Sequence, residues 1–496
     1  MAIKTASEAA PAASDMSFFD LRGWLEKAKA LGQLKEVDHA ALDIEPGTIT
    51  EINAKRKGPA ILFDKFDGFP EGFRILTCSM GNATTLGLAL GFEGKLSNVE
   101  LVGKIAAALR EVDGISKDYP VQLVEDGPVM ENRQIGDDVD LTVFPTPLWH
   151  EGDGGRFIGT GAVQLHRDPD TGWVNLAPYR VQLQGKNLLS NFIAPGHHGQ
   201  GIRQKYWDRG QPCPVVMCLG IHPLIHLVGA TDVPPQVDEL TWIGALARQR
   251  VPVINGPLTG LPIPADAEVA IEGYAYPGEE MSEGPFGEFT GYYAGGERKQ
   301  PLIQVKAVYY RNQPIVLGMP PSRPPDSVAY YFSVMRGAAI METLRRAGIP
   351  GVKSVWSGEA GGGRMWLVTC IQQQYAGHAE AAAGIAALCQ AGGLMCRYSI
   401  VVDEDVDPSD SDDVIWALCT RSDPASDIDI LRQCWSTQLD PVTPRELKDA
   451  NRTWNSRAII NACKRWDRLK NNEFPKVAES RPELIKTIKE KYAWLK

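Results

Sequence analysis

The chain has 496 residues, 44% of them hydrophobic and 23% charged, and carries a formal net charge of −10. That length favours several domains over a single core. The negative balance and the lack of any basic run argue against DNA, RNA or an anionic membrane face as the main partner, and no stretch of roughly 18 apolar residues offers a membrane span.

Met1 to Asp15 is rich in Ala and Ser but has no apolar core of signal-peptide length, so residues 1–15 are expected to form a mobile tail. A helix is expected from Ser17, where Ser17 and Asp20 resemble a capping box and Leu21, Trp24, Leu25, Ala28 and Leu31 recur at helical spacing. Ala60 to Phe63 and Arg74 to Leu76 read as short strands, and Val102 to Val112 as a helix. This alternation predicts an N-terminal α/β domain over 16–127.

From about Asn132 to Met319 the texture changes, and Gly and Pro punctuate short β-like runs: Gly161 to His166, Asn175 to Leu183, Val215 to Cys218 and Leu302 to Val308. Such spacing predicts a barrel or sandwich over 128–320. Pro320 to Pro325 marks a boundary. The third region, 321–480, returns to α/β alternation, with strands at Trp366 to Ile371 and Ser399 to Val402 and an Ala-rich helix at Gly377 to Ala391. A last helix over 481–496 places Leu484, Ile485, Ile488, Tyr492 and Leu495 on one face, a stripe suited to packing or subunit contact.

Several motifs fail on inspection. Asp403, Asp405 and Asp407 have calcium-loop spacing, but Pro408 replaces the turn glycine and Val414 stands where a bidentate Glu is needed, so a solvated loop is expected. Gly361-Gly362-Gly363 has no following lysine and reads as a hairpin turn. No HExxH, GxSxG or dinucleotide fingerprint occurs. The nine cysteines are odd in number with no C-x-x-C pair. They read as small buried hydrophobes in a reducing cytoplasm rather than disulfides or a thiolate zinc site.

The segment richest in chemistry is Glu283-Gly284-Pro285-Phe286-Gly287-Glu288. Its Gly and Pro disfavour a helix, and two carboxylates on a rigid loop can move a proton if one is held neutral and the other ionised. Trp173 to Arg180 adds an Arg suited to gripping a carboxylate. In one regular strand Asn175 and Arg180 would face opposite sides, but Pro178 predicts a bend that removes the conflict. Asn175, His197 or His198, and Glu239 offer one nitrogen and two oxygen ligands, a set that favours Mn²⁺ or Mg²⁺ over structural Zn²⁺.

Glu283 to Tyr292 resembles the E-x-P-F-G-E signature of the UbiD family of prenylated-FMN-dependent decarboxylases. The likeness extends through Asn175 to Arg180, Pro195 to His198, Pro234 to Leu246, Val401 to Pro408 and Trp416 to Arg421. It implies an α/β and α+β multidomain fold with an N-terminal α/β domain, a central flavin-reductase-like split β-barrel, and a C-terminal α/β domain that dimerises. The implied assembly is a homodimer, or a homohexamer built from such dimers. The implied activity is non-oxidative, reversible decarboxylation of an aromatic or α,β-unsaturated carboxylic acid, or of an aryl thioester bearing a free carboxylate. It would proceed through a covalent adduct with prenylated FMN supplied by a flavin prenyltransferase.

By the same resemblance Glu288 is the proton donor and Arg180 with Glu283 the orienting ion pair. Asn175, His198 and Glu239 would ligate Mn²⁺ or Mg²⁺. K⁺ would sit against backbone oxygens of Gly229 to Thr231 and Glu239. Asn175, Ala177, Tyr179, Arg180, His198, Glu239 and Arg397 would contact the cofactor, with Arg397 standing where many relatives carry Lys. The competing readings are a flavin-binding, reductase-like protein and a non-catalytic subunit of a decarboxylase complex.

Overall fold

The computed structural model describes residues 17–231, 233, 236–450 and 452–495. The expected tail at 1–15 lies outside the described residues, as do Pro234 and Pro235 of the Pro234 to Leu246 stretch. Four sheets and their covering helices make an α/β molecule with several domains. Among the described residues, no helix is long and apolar enough to cross a membrane.

The first helix is Leu21–Ala30, and its cap is Asp20, not Ser17: the Asp20 carboxylate accepts from Arg22 N at 2.8 Å. Ser17 Oγ instead accepts from Phe19 N in a local turn. Leu21, Trp24, Leu25 and Ala28 are buried as the periodicity predicts. The second long helix, Asn98–Ile115, opens with a true capping box of Ser97 and Glu100. A side-chain cap of this kind contributes about 1 kcal/mol.

The N-terminal sheet runs Leu34–Val37, Ala60–Phe63, Arg74–Thr77 and then Ile315–Leu317. Its last strand comes from far along the chain and lies parallel to Arg74–Thr77, which ties the central region back onto the N-terminal one.

The central sheet has nine strands. Its main path is Val174–Ala177, Val163–Arg167, Cys213–Gly220, Val269–Ala275, Arg298–Tyr310, Leu188–Asn191 and Val181–Gly185, all antiparallel neighbours. Glu280–Glu283 and Asn132–Ile135 also pair with the long strand Arg298–Tyr310. The run from Asn175 to Leu183 is not one strand. It breaks at Pro178-Tyr179-Arg180 between Val174–Ala177 and Val181–Gly185, so Pro178 does impose the expected interruption.

The helix Ser327–Arg346, capped by Asp326 onto Ala329 N at 2.7 Å, leads into the C-terminal sheet. Gly337 lets this helix approach closely, since a Cβ there would meet Val355 O at 2.3 Å. That sheet is ordered Val352–Ser357, Trp366–Ile371, Tyr398–Asp403, Trp454–Asn461, Ile428–Trp435, with the inner three strands parallel. Gly361 to Gly363 turn between its first two strands, as the hairpin reading expects.

Two C-terminal expectations are corrected. The Ala-rich helix ends at Leu388 and a separate short helix follows at Gln390–Gly393, because Cys389 is extended (φ −66°, ψ 163°). The Asp403 loop is no solvated loop: buried Arg421 bonds both Asp403 and Asp405, and Lys464 bonds Asp405. The final helix, Pro482–Lys491, leaves Leu484, Ile485 and Ile488 exposed, so its stripe is not packed within this chain. All nine cysteines are free, and six of them are buried.

Candidate active site

The break at Pro178 aims Arg180 into the interior instead of along a regular strand. Its Nε donates to Glu283 Oε1 at 2.9 Å and its Nη2 to Glu283 Oε2 at 3.3 Å. Nη1 donates to Glu288 Oε1. The guanidinium also lies 4.4 Å from the centre of the Phe192 ring and 5.4 Å from that of Phe286, a cation–π setting. Arg180, Glu283 and Glu288 are thus one cluster, although more than a hundred residues separate the Arg from the acids.

Glu283 and Glu288 are 2% and 7% exposed. Burial penalises the ionised carboxylate, and the Arg180 charge opposes that effect. For Glu288 burial is the stronger influence, and the carboxyl is pushed up to about 7, with the Glu283 charge adding to the rise. Glu283 is raised by the same burial against its pairing with Arg180. Burial pulls the Arg180 guanidinium down, but the two carboxylates outweigh it and raise the group overall. The arrangement can hold a neutral acid beside a fixed positive charge at physiological pH.

The loop carrying the two acids is clamped by residues that sequence reasoning did not single out. Gly284, in the left-handed region at φ 84°, donates from its N–H to Gln182 Oε1 at 3.0 Å. Gln182 Nε2 donates to Gly154 O at 3.2 Å, and Gly154 N donates to Pro285 O at 2.7 Å. Gly287 N reaches Asp153 Oδ1 at 3.4 Å. The contact requires glycine, since a Cβ on Gly154 would stand 1.9 Å from Gly284 O. The available signals were the Gly-rich stretch Gly152-Asp153-Gly154-Gly155 and the same-face spacing of Gln182 with Arg180.

Asn175 and Glu239 also meet. Asn175 Nδ2 donates to Glu239 Oε1 at 3.0 Å, and Leu176 N donates to Oε2 at 3.2 Å. These partners are an amide and a backbone N–H, and burial pushes the Glu239 carboxyl up to about 7. Tyr179 OH donates to Asn175 Oδ1 at 3.1 Å and accepts from Gly199 N at 3.0 Å. That hydroxyl links the pair to the first turn of the helix His198–Trp207. His198 is half-buried with its ring 5.1 Å from that of Trp173, whereas His197 is exposed, 6.2 Å from the Tyr179 ring. Among the described residues, no three His, Cys, Asp or Glu side chains form a ready cage. Asn175 and Glu239 are brought together, and His198 is connected to them through Tyr179 and Gly199.

A buried carboxylate with no cationic side chain among those partners, beside an amide oxygen, is a donor set that fits a hard divalent ion. Thr231 O, in the segment considered for K⁺, accepts from Val233 N at 2.8 Å. Ala177 is buried beside Tyr179 and Ile193. Arg397 donates from Nη2 to buried Asp440 at 2.7 Å, and its Nε is a buried donor with no hydrogen-bond partner. An orphaned donor of that kind fits an acceptor such as a phosphate oxygen.

Arg180 and Phe192 line a cavity of about 10 Å³ that is closed by Leu439 of the C-terminal region. That is room for about one water.

Residues 25–109, 122–324 and 329–462 match the family models of the N-terminal, Rift-related and C-terminal domains of 3-octaprenyl-4-hydroxybenzoate carboxy-lyase, in that order. The chain belongs to the UbiD family. It is 32% identical over 463 residues to a pyrrole-2-carboxylic acid decarboxylase of Pseudomonas aeruginosa, covering 90% of this chain and 91% of that one. It is also 32% identical to a phenolic acid decarboxylase of Streptomyces sp. (strain D7), covering 86% and 89%. The UbiD-class enzyme HmfF from Pelotomaculum thermopropionicum, solved in complex with FMN, superposes with a TM-score of 0.82 at 28% identity, covering 94% of this chain and 98% of that one. An evolved dimeric form of HmfF, in complex with prFMN, gives a TM-score of 0.79 at 27% identity with the same coverage. This UbiD-family chain is therefore a carboxy-lyase by family.

Proposed function

We propose that this UbiD-family protein removes CO₂ reversibly from an aromatic or α,β-unsaturated carboxylic acid, with prenylated FMN as its cofactor. The observation that carries the reading is the buried cluster of Arg180, Glu283 and Glu288, in which one carboxyl is pushed up to about 7 beside a fixed guanidinium. The relatives that act on pyrrole-2-carboxylic and phenolic acids support an aromatic substrate.

Loss of CO₂ from an sp² carbon leaves an electron pair without a sink, and the bound flavin supplies that sink. The chain's own residues do the rest. Arg180 orients the substrate carboxylate while holding Glu283 by two hydrogen bonds. The Phe192 and Phe286 rings keep water from the guanidinium face. Glu288, neutral below about pH 7, gives its proton to the carbon that has lost CO₂ and regains one from solvent.

Asn175, Glu239 and His198 would hold Mn²⁺ or Mg²⁺, and Glu239 with the Gly229 to Thr231 backbone would hold K⁺. Ala177, Tyr179 and Arg397 would complete the cofactor's surroundings, with the orphaned Arg397 Nε available to an anionic oxygen. The unpacked stripe Leu484, Ile485, Ile488 supports a contact between copies in a homodimer, or a homohexamer built from dimers. The free cysteines support a reducing, cytoplasmic setting.

The test is CO₂ release from a panel of aromatic and α,β-unsaturated acids, using enzyme produced with a flavin prenyltransferase and handled anaerobically. Release from at least one acid, with a bound flavin heavier than FMN by the prenyl group, is expected. Unmodified FMN with no release from any acid contradicts the proposal.

A further inference from the structure

The turn Gly361-Gly362-Gly363 joins the strands Val352–Ser357 and Trp366–Ile371 and stands against the loop that carries Glu288. Gly362 and Gly363 lie in the left-handed region at φ 64° and 68°. A Cβ on Gly362 would meet Phe289 O at 2.6 Å, and one on Gly363 would meet Ala329 O at 2.8 Å and Phe332 Cβ at 2.9 Å. Bare backbone is therefore needed for the C-terminal region to touch both the acid-bearing loop and the helix Ser327–Arg346. The turn itself is fixed from two sides. Ser357 Oγ donates to Gly363 O at 2.7 Å, and Lys57 of the N-terminal region pairs with Glu359 at 2.8 Å.

This close approach delivers Arg364. Its guanidinium lies 4.8 Å from the centre of the Phe289 ring and 4.3 Å from that of Phe332, within range of cation–π attraction to both. Phe289 follows Glu288 directly and sits at the tip of a β-turn. Gly291 N donates to Glu288 O at 2.8 Å, and Glu288 N donates to Tyr292 O at 3.1 Å. In so tight a turn, a shift of the tip is a shift of Glu288. The clamp from Asp153, Gly154 and Gln182 bonds Gly284, Pro285 and Gly287, all of which precede Glu288. Arg364 acts on the other flank.

We propose that Arg364 is a positioning residue for the proton donor: by bridging Phe289 and Phe332 it pins the turn that begins at Glu288. The inference rests on the assignment of Glu288 as donor. An acid held on one flank alone samples positions from which its proton does not reach the carbon, and small misplacements of this kind lower turnover steeply. Arg364 thereby makes the C-terminal region part of the support for an acid that the central region carries.

The test uses flavin-loaded Arg364→Met, Arg364→Lys and Phe289→Leu, with two readouts. Hydrogen–deuterium exchange followed by mass spectrometry reads the turn without any substrate. In Arg364→Met the segment Glu288–Tyr292 should exchange about 10-fold faster than in wild type, while the segment His150–Gly155 keeps its wild-type rate. Where Arg364→Met exchanges faster throughout the chain, Arg364→Lys and Phe289→Leu supply the same comparison. Turnover of an accepted aromatic acid gives the second readout. In Arg364→Met kcat should fall about 10-fold with KM little changed, and Arg364→Lys, which keeps the cation, should recover part of the loss. The double variant Arg364→Met/Phe289→Leu should be no slower than Arg364→Met, since both changes break one contact. Unchanged exchange in Glu288–Tyr292, a loss confined to KM, or losses that simply add in the double variant would overturn the positioning role and leave the decarboxylase intact. Faster local exchange in Arg364→Met, with no CO₂ release from any acid by the wild type, would uphold the contact and sink the decarboxylase reading instead.

Discussion

Arg180 and Glu283 are joined by a two-point contact, Nε to Oε1 at 2.9 Å and Nη2 to Oε2 at 3.3 Å, while the remaining guanidinium nitrogen reaches Glu288. One side chain therefore sets the positions of both acids. Lys has no planar fork and cannot reproduce this geometry. Arg180→Lys should lower kcat by roughly 100-fold or more, because the proposed proton donor is then misplaced. Steady-state CO₂ release at saturating substrate checks this, and a loss confined to KM would argue against it.

Arg180→Met should show how the charges are balanced. The acids are already raised by burial against the help of Arg180, and losing that help raises them further. A carboxyl whose folded value exceeds its unfolded one binds more protons in the folded state, so stability is full below about pH 4.5 and falls as pH rises through the folded value. The melting temperature of Arg180→Met should thus fall below wild type increasingly from pH 5 to pH 8. A constant offset across that range would contradict the charge argument.

The burial of Glu288 also sets the expected pH profile of turnover. As the proposed donor, Glu288 must be protonated, and burial pushes it up to about 7. The rate should hold below that value and fall on the alkaline side, with the limb near pH 7. A rate that rises through this region would assign the titrating group to a base instead.

Much of this site was legible in the sequence because its acids lie within one short motif and Pro178 announced a break before Arg180. The clamp from Asp153, Gly154 and Gln182 was not legible, since it joins segments more than a hundred residues apart through backbone groups that carry no residue signature. Local pattern also misplaced the first cap. Ser17 and Asp20 both offer oxygens, and only the backbone path showed that Asp20 meets Arg22 N. The expectation of a solvated loop at Asp403 failed because Arg421, on a later helix, folds back to bury the charge.

The clamp yields its own prediction. Gly154→Ala places a methyl 1.9 Å from Gly284 O, against backbone that cannot step aside. The loop bearing Glu283 and Glu288 should shift, and kcat should fall by about 100-fold while bound flavin is retained. Flavin absorbance and turnover measured on the same sample separate this outcome from general misfolding.

At the other cluster, Glu239→Gln keeps the size of the side chain and removes its charge. Divalent-metal occupancy should fall by roughly 10-fold or more, with flavin lost alongside it, and elemental analysis of the purified protein reads this directly. His198→Ala should behave alike, whereas His197→Ala should not. Full metal in His198→Ala would remove His198 from the ligand set.

The most direct test of the proton-donor assignment is Glu288→Gln, prepared with its flavin content measured, and compared with wild type for CO₂ release and for solvent deuterium exchange into the product's C–H position. Retained flavin with both reactions lost is the predicted result. Normal turnover and exchange in that variant would contradict the role of Glu288 and, with it, the account of the buried Arg180 cluster.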